Sequence, residues 1–453
     1  MSIDSARELI AKYNRPGPRY TSYPTALQFS PVDDPISLLE ESKSATSPIS
    51  LYYHLPFCES LCWFCACTTV ITLNRKLADD YITALEKEQE MTLPYLNLDN
   101  RVVNQLHFGG GSPSFQSPDQ LDRLCSGIRK NFPIADDAEV SVELDPRTLS
   151  EEKVQVLASH GFNRASFGVQ DVDPKVQKAV HRIQPDEMNR QCVEWVRKAG
   201  MESVNVDLIY GLPHQDVESF KRTLDTVLSY SPDRLAVFSY AHVPWVAPAQ
   251  KILERSTLPS PEVKFAMLLE TIETLTANGY VYVGMDHFAK ADDELCQALD
   301  NGTLHRNFQG YTTKAGSELC GFGMSSISMG EHTYRQNQKE LNDWHESIAQ
   351  DKLPAHKGYQ LTKEDKLRQE VIMKVMCSGN IVYQDYNDRY GIDFASHFAT
   401  AIDSLEEPAK DGLVEFTDSG FRVTEDGRLL LRNIAMPFDQ YLQAGPGRHA
   451  KTI

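Results

Sequence analysis

The chain has no apolar run approaching the eighteen or more residues that a membrane-spanning helix needs, which excludes an integral helical membrane protein. Positive charge is in deficit: 45 Lys and Arg stand against 63 Asp and Glu, a formal net charge of −18. Such a surface repels nucleic acid and anionic membranes, so neither is an expected partner. An anionic substrate would need a local basic pocket set against that background. The opening MSIDSARELIAKYN carries neither the basic nor the apolar region of a secretory leader, so a cytoplasmic protein is expected. Low-complexity tracts are missing, and so are internal repeats beyond a strand–helix period. With 453 residues, 41% of them hydrophobic, the chain can bury a sizeable core across two to four domains.

Nine cysteines are too unevenly placed for a disulfide scaffold. Five are scattered singly (Cys125, Cys192, Cys296, Cys320, Cys377) and read as small buried hydrophobes. The other four fall within ten residues, as C58-E-S-L-C62-W-F-C65-A-C67. Spacings of three and two residues let three thiolates converge from one loop. Structural zinc usually takes two Cys/His pairs from separate elements, and the second pair is missing. Cys67 is a poor span from Cys65 for a fourth ligand. An iron–sulfur cluster held by three cysteines, with one iron left open, is favoured over zinc.

Between residues 50 and 285, apolar β-rich runs alternate with amphipathic helical stretches. The runs are SLYYHL (50–55), QLHF (105–108), EVSVEL (139–144), RASFGV (164–169), SVNVDLIY (203–210), RLAVFS (234–239) and YVYVG (280–284). Helical spacing is read at 77–92, 117–132 and 217–229. This is the signature of repeated βαβ units, as a full or partial barrel or as a doubly wound sheet. The cysteine loop follows the first strand, on the face where barrels keep their chemistry. RPGPRYTSYPT (15–25) reads as an extended arm. Helices near 362–377 and 395–410, a hairpin at 413–423 and a helix from Glu425 suggest a small, mostly helical winged-helix-like domain. The expected organisation is an arm over 1–44, an α/β barrel with extension over 45–345 and a C-terminal helical domain over 346–453.

The segments GPRYTSYPTA (17–26), YHLPFCESLCWFCAC (53–67), LHFGGGSPS (106–114), VELDPR (142–147), NVDLIYGLP (205–213), LHRNFQGYTT (304–313) and GRLLLRNIAMPFDQYL (427–442) together resemble the oxygen-independent coproporphyrinogen III oxidases. These belong to the radical S-adenosylmethionine (SAM) superfamily. The cluster motif alone would license only the superfamily; the arm and the HRNFQGYTT segment narrow it. Two departures stand out: Ala66 replaces a glycine before the fourth cysteine, and Pro437 stands where a Cys would be expected, which argues against a ligand role there.

The resemblance implies a partial (β/α)6-type radical SAM barrel and a defined chemistry. Two propionates of coproporphyrinogen III would be oxidatively decarboxylated to vinyl groups by a 5′-deoxyadenosyl radical, giving protoporphyrinogen IX in anaerobic heme biosynthesis. Cys58, Cys62 and Cys65 would hold a [4Fe–4S] cluster. Tyr52, Gly110, Glu143 and Ile327 would line the SAM bound to it. Phe64, Gly111, Ser112, Gln170, Arg182, Asp207 and Ala241 match positions for a second SAM. A low-potential electron donor, an electron acceptor and a monomeric state are implied. Other readings are a different tetrapyrrole radical enzyme, such as a heme-opening methyltransferase, and a heme carrier; the arm speaks against the carrier. Tyr13, Arg15, Arg19, Tyr20 and Tyr23 of the arm, with His305, Arg306, Phe308 and Tyr311, are the candidate substrate contacts. His54 and His107 read as satisfied core histidines. Read from its own residues, Gly109–Gly111 is an ordinary tight turn.

Overall fold

A computed structural model describes residues 8–9, 12–256, 258–442 and 449–452. Part of the opening stretch read for a leader lies outside these residues. Six parallel strands follow one another in the sheet: β1 (Ile49–Leu55), β2 (Val103–Gly110), β3 (Ile134–Leu144), β4 (Arg164–Gln170), β5 (Ser203–Tyr210) and β6 (Arg234–Ser239). The intervening helices are α1 (Lys76–Thr92), α2 (Pro118–Asn131), α3 (Glu151–Ser159), α4 (Asp186–Lys198) and α5 (Val217–Leu228), and α6 (Pro261–Ala277) follows β6. The order β1 to β6 never reverses. A doubly wound sheet would turn back at a switch point, so the winding is that of a barrel.

Local sequence explains the helices. Ser117 and Gln120 cap α2 reciprocally, and Asp216 and Ser219 do the same for α5. Phe220, Leu224 and Val227 bury one face of α5. The strands alternate. Val140, Val142 and Leu144 of β3 and Val204, Val206 and Leu208 of β5 are buried in the main apolar core. The intervening residues are polar and turn to the opposite, concave face.

The sheet continues past β6. β7 (Tyr280–Gly284), expected from its pattern, and β8 (His287–Lys290), which was not, add antiparallel at the β6 edge. At the other edge β9 (Glu318–Phe322) pairs parallel with β1, and β10 (Ile327–Met329), β11 (Thr333–Asn337) and β12 (Ala355–Gln360) continue antiparallel. Two expectations need correction here. β12, assigned to the C-terminal domain, pairs with β11 in the main sheet, and Ser30–Pro31 of the arm pairs with β12. Backbone hydrogen bonds therefore tie both segments to the barrel.

The C-terminal part has a helix over Lys363–Cys377, and a three-stranded sheet joins Asn380–Val382, Val414–Thr417 and Gly420–Val423. The helix expected over 395–410 is three short pieces, and Tyr383–Tyr390 is a helix that was not anticipated. The arm lacks regular structure over residues 17–25 yet is not solvated: Tyr13, Tyr20 and Tyr23 are buried.

One buried network steadies the loop before β10. Tyr81 and Glu88 lie seven residues apart on one face of α1. The Tyr81 hydroxyl donates to the His54 carbonyl and accepts from Met324 N–H, both at 2.9 Å. Glu88 accepts from Gly323 N–H at 2.8 Å and from Asn337 Nδ2 at 2.6 Å. Burial pushes the Glu88 carboxyl up to about 7. The folded chain then keeps a proton that the unfolded chain, with a pKa near 4.3, releases. Thermal stability should therefore fall as pH rises from about 4.5 to 7 and level off above. Melting curves across that range check this, and Glu88→Gln should remove the slope Glu88 causes.

Candidate functional site

The concave face presents alternate residues of five consecutive strands in register. His107 lies opposite Ser141, Glu143 opposite Ser166, Ser166 opposite Asn205, and Asp207 opposite both Gly168 and Ala236. They line a cavity of about 400 Å³ that also receives the loop after β1, so Cys58, Cys62, Cys65 and Cys67 face it together with Phe64. Gly110, Gly111, Gln170 and Arg182 line it as well.

The cysteine loop is pinned on several sides. Phe57–Cys58 pairs in parallel with Val70–Ile71. Trp63 stacks on His181, whose Nδ1 lies 2.9 Å from the Leu61 carbonyl, and Gln250 Nε2 donates to the Phe64 carbonyl at 2.7 Å. Cys62 is buried between two guanidinium groups. Arg147 Nη2 lies 3.4 Å and Arg182 Nη1 3.5 Å from its Sγ. Both arginines pair with Asp145, whose carboxyl falls to about 2 because their charges outweigh its burial. The Cys67 thiol beside Cys65, helped by the Cys67 N–H at 3.4 Å, draws the Cys65 thiol down to about 7, whereas burial pushes Cys58 up to about 12.

The triple glycine is more than a tight turn. Gly110 has φ +112°, and a Cβ there would stand 2.5 Å from the His54 ring. A Cβ on Gly111 would meet the Pro56 carbonyl oxygen at 2.3 Å. Only glycine lets the end of β2 lie flat against the start of the cysteine loop. Gly110 N–H donates to Glu143 at 3.1 Å, and His107 Nε2 lies 3.5 Å from the same carboxylate. Burial would raise the Glu143 carboxyl, but the hydrogen bond and charge of His107, with the Gly110 N–H, hold it below the usual range. Asp207 behaves oppositely: burial and the nearby Glu143 charge lift it to about 7, although Ser166 and Asn205 hydrogen-bond it. Gln170 closes β4 at φ +68°, a left-handed conformation unusual for its type.

Tyr52 and Ile327 line an adjoining smaller cavity with His54, His107 and Glu143, and the Tyr52 ring stacks on His107 at 5.9 Å. Two expected residues fall elsewhere. Ser112 is buried below the glycine turn, with Oγ 2.9 Å from Ser114 Oγ, and Ala241 is exposed beyond β6; neither lines the cavity. His54 is satisfied by Tyr52 and the Thr68 carbonyl, as a core histidine should be. His107 is satisfied too, yet it faces the cavity. Asp145 and Arg147 were missed as site residues although VELDPR was noted; their place just beyond the carboxyl end of a barrel strand was the available signal.

Residues 52–227 match the radical SAM superfamily, and residues 361–430 match the HemN C-terminal domain. The oxygen-independent coproporphyrinogen III oxidase of Escherichia coli K12 is 44% identical over 442 residues, covering 97% of this chain and 96% of that protein. Its namesake from Pseudomonas aeruginosa is 45% identical, covering 96% and 95%. A solved structure of coproporphyrinogen III oxidase (HemN) from Escherichia coli, a radical SAM enzyme, superposes with a TM-score of 0.91, covering 94% of this chain and 98% of that one. The chain belongs to the oxygen-independent coproporphyrinogen III oxidases. Membership of this radical SAM family brings a [4Fe–4S] cluster and SAM to the site.

The donor set fits them. Among the described residues no three or more His, Cys, Asp or Glu side chains converge as a single metal ion requires. Cys58, Cys62 and Cys65 all line the cavity, a donor set that suits a cluster in which each thiolate takes a different iron. The two guanidinium groups beside Cys62 offset the negative charge that thiolates bring. Among the described residues no helix is long and apolar enough to cross a membrane.

Proposed function

We propose that this chain converts coproporphyrinogen III to protoporphyrinogen IX, decarboxylating two propionates to vinyl groups in anaerobic heme biosynthesis. The observation that carries this reading is the meeting of the three-thiol loop and a polar concave face in one cavity. Cys58, Cys62 and Cys65 would hold the cluster; Tyr52, Gly110, Glu143 and Ile327 would surround the SAM bound to it. A second SAM would lie against Phe64, Gly111, Gln170, Arg182 and Asp207. Once bound, cluster and SAM supply a 5′-deoxyadenosyl radical. The protein's own task is positioning and exclusion of water. Gly110 and Gly111, without side chains, let a ligand approach the backbone closely, and Glu143, held ionised, suits an amino or hydroxyl donor. Asp207, with its raised pKa, can donate as well as accept.

Each propionate loses a hydrogen atom, then CO2 and an electron, so a low-potential donor and an electron acceptor are required partners. A monomeric state is part of the same reading. All nine cysteines are unpaired, which fits the reducing cytoplasm.

The test is anaerobic: reconstituted protein, SAM, reductant and coproporphyrinogen III, with products identified by mass. A product lighter by two carboxyl groups and two further hydrogens is expected. Methyl gain, or SAM cleavage with an unchanged porphyrinogen, would overturn the reading.

A further inference from the structure

A substrate with four carboxylates needs cationic partners, and most arginines around the cavity are already committed. Arg164 pairs with Glu139 and Glu294, Arg234 with Asp293 and Glu294, and Arg182 with Asp145. Arg19 of the arm pairs with Asp286, and Arg432 donates to backbone carbonyls of Gly17, Lys451 and Thr452.

Arg306 is different. It lies on the hairpin formed by His305–Asn307 and Gly310–Thr312, directly across from Tyr311, with its guanidinium 4.8 Å from that ring's centre. Only 3% of the residue is exposed, yet its Nε and Nη1 have no hydrogen-bond partner among the described residues. The ring of His287 meets Tyr311 edge-on at 5.2 Å, and His287 Nδ1 also lacks a partner. Tyr311 and His287 both line the cavity, so Arg306 stands immediately behind its wall. A buried guanidinium without a counter-ion is costly, and buried donors left unmade call for an explanation. The nearby carboxylate, Asp286, is taken by Arg19.

We infer that this wall is a carboxylate pocket in which Arg306, assisted by His287, anchors one propionate of the substrate. The inference rests on the function proposed above, since it takes the ligand to be a porphyrinogen. Burial and the Arg306 charge hold the His287 imidazole down at about 3, so it meets the anion as a neutral donor and the charge comes from Arg306. A planar guanidinium fork suits a carboxylate better than a point charge does.

The experiment is a fluorescence titration of cluster-loaded protein with coproporphyrin III, the oxidised fluorescent form of the substrate, and with its tetramethyl ester. Wild type should prefer the acid. Arg306→Gln should lose about ten- to a hundredfold in affinity for the acid, with ester and SAM affinity unchanged. Arg306→Lys, which keeps the charge without the fork, should fall between. Equal weakening of acid and ester would show a packing role, and loss of SAM affinity instead would point to the methionine carboxylate; either overturns the inference, as does unchanged acid binding. If the Gln variant fails to fold, the Lys variant decides: wild-type acid affinity there overturns the pocket. Turnover of wild type is measured in parallel. Acid-selective binding without decarboxylation would sink the proposed function and leave the pocket standing.

Discussion

Cys58→Ser, Cys62→Ser and Cys65→Ser should each abolish the visible absorbance of the reconstituted protein and take activity below detection. The unsubstituted protein should hold about four irons with matching sulfide. Serine keeps the size of cysteine but offers a hard, protonated oxygen where iron in a sulfide cluster wants a soft thiolate. The loss should be all or none, because a cluster that already leaves one iron without a protein thiolate has none to spare. Cys67 is the nearest alternative. It is exposed, and its N–H serves Cys65, so Cys67→Ser should leave the iron content intact. Cys125 is buried on α2, and Cys125→Ser should be spectroscopically silent. Iron and sulfide analysis with optical spectra decides. Stoichiometric zinc without sulfide, or a full cluster in any one of the first three variants, would overturn the assignment.

The barrel was legible because β1 to β6 are long enough to show their period. RLAVFS and SVNVDLIY are strands over the very residues that pattern marks. The strands beyond β8 were hidden by polarity. β11 reads TYRQN, yet all five of its residues are buried; Asn337, for one, spends its amide on Glu88, the Gly323 carbonyl and Ser326. β9 begins with Glu318, buried against Arg101 at 2.8 Å. Hydropathy registers such residues as surface, because a paired buried charge and an exposed one look alike in sequence. The site divides the same way. The thiols were legible from spacing and the glycines only through the family resemblance, whereas the Arg147–Asp145–Arg182 clamp on Cys62 joins residues 85 and 120 positions from that cysteine. Only the fold brings them together. The alternation Glu139, Ser141, Glu143 in β3 puts polar side chains on the cavity face.

Removing residues 1–25 should cost the protein its C-terminal domain before it costs the cluster. Read as sequence, the arm is an extended segment that supplies candidate substrate contacts. In the structure it is a strap. Tyr20 donates to Asp439 at 3.0 Å, the Tyr23 hydroxyl accepts from Gln440 N–H at 3.1 Å, and the Tyr13 carbonyl accepts from Asn433 at 2.8 Å. Tyr334 of β11 reaches back to the Tyr23 carbonyl at 2.9 Å, so the strap is fastened to the barrel as well. Emptying the site of one large buried side chain typically costs ~3–5 kcal/mol. Three tyrosines therefore represent on the order of 10 kcal/mol, comparable with the ~5–15 kcal/mol that keeps a whole domain folded. The cysteine loop is held instead by Val180, His181 and Gln250. The truncated protein should thus bind its cluster in the cold, melt early, lose its C-terminal part to limited proteolysis and fail to decarboxylate. Arg19→Gln separates the two roles of the strap. Arg19 is 40% exposed at its side chain, lies 5.6 Å from the centre of the Phe238 ring and pairs with Asp286 at the cavity's edge. That variant leaves the contacts of Tyr13, Tyr20 and Tyr23 in place but frees the buried Asp286 carboxylate to draw on Arg306, so it should weaken substrate binding without exposing the C-terminal part to protease. A truncated chain with wild-type melting and protease resistance would show the contacts of Tyr13, Tyr20 and Tyr23 to be incidental.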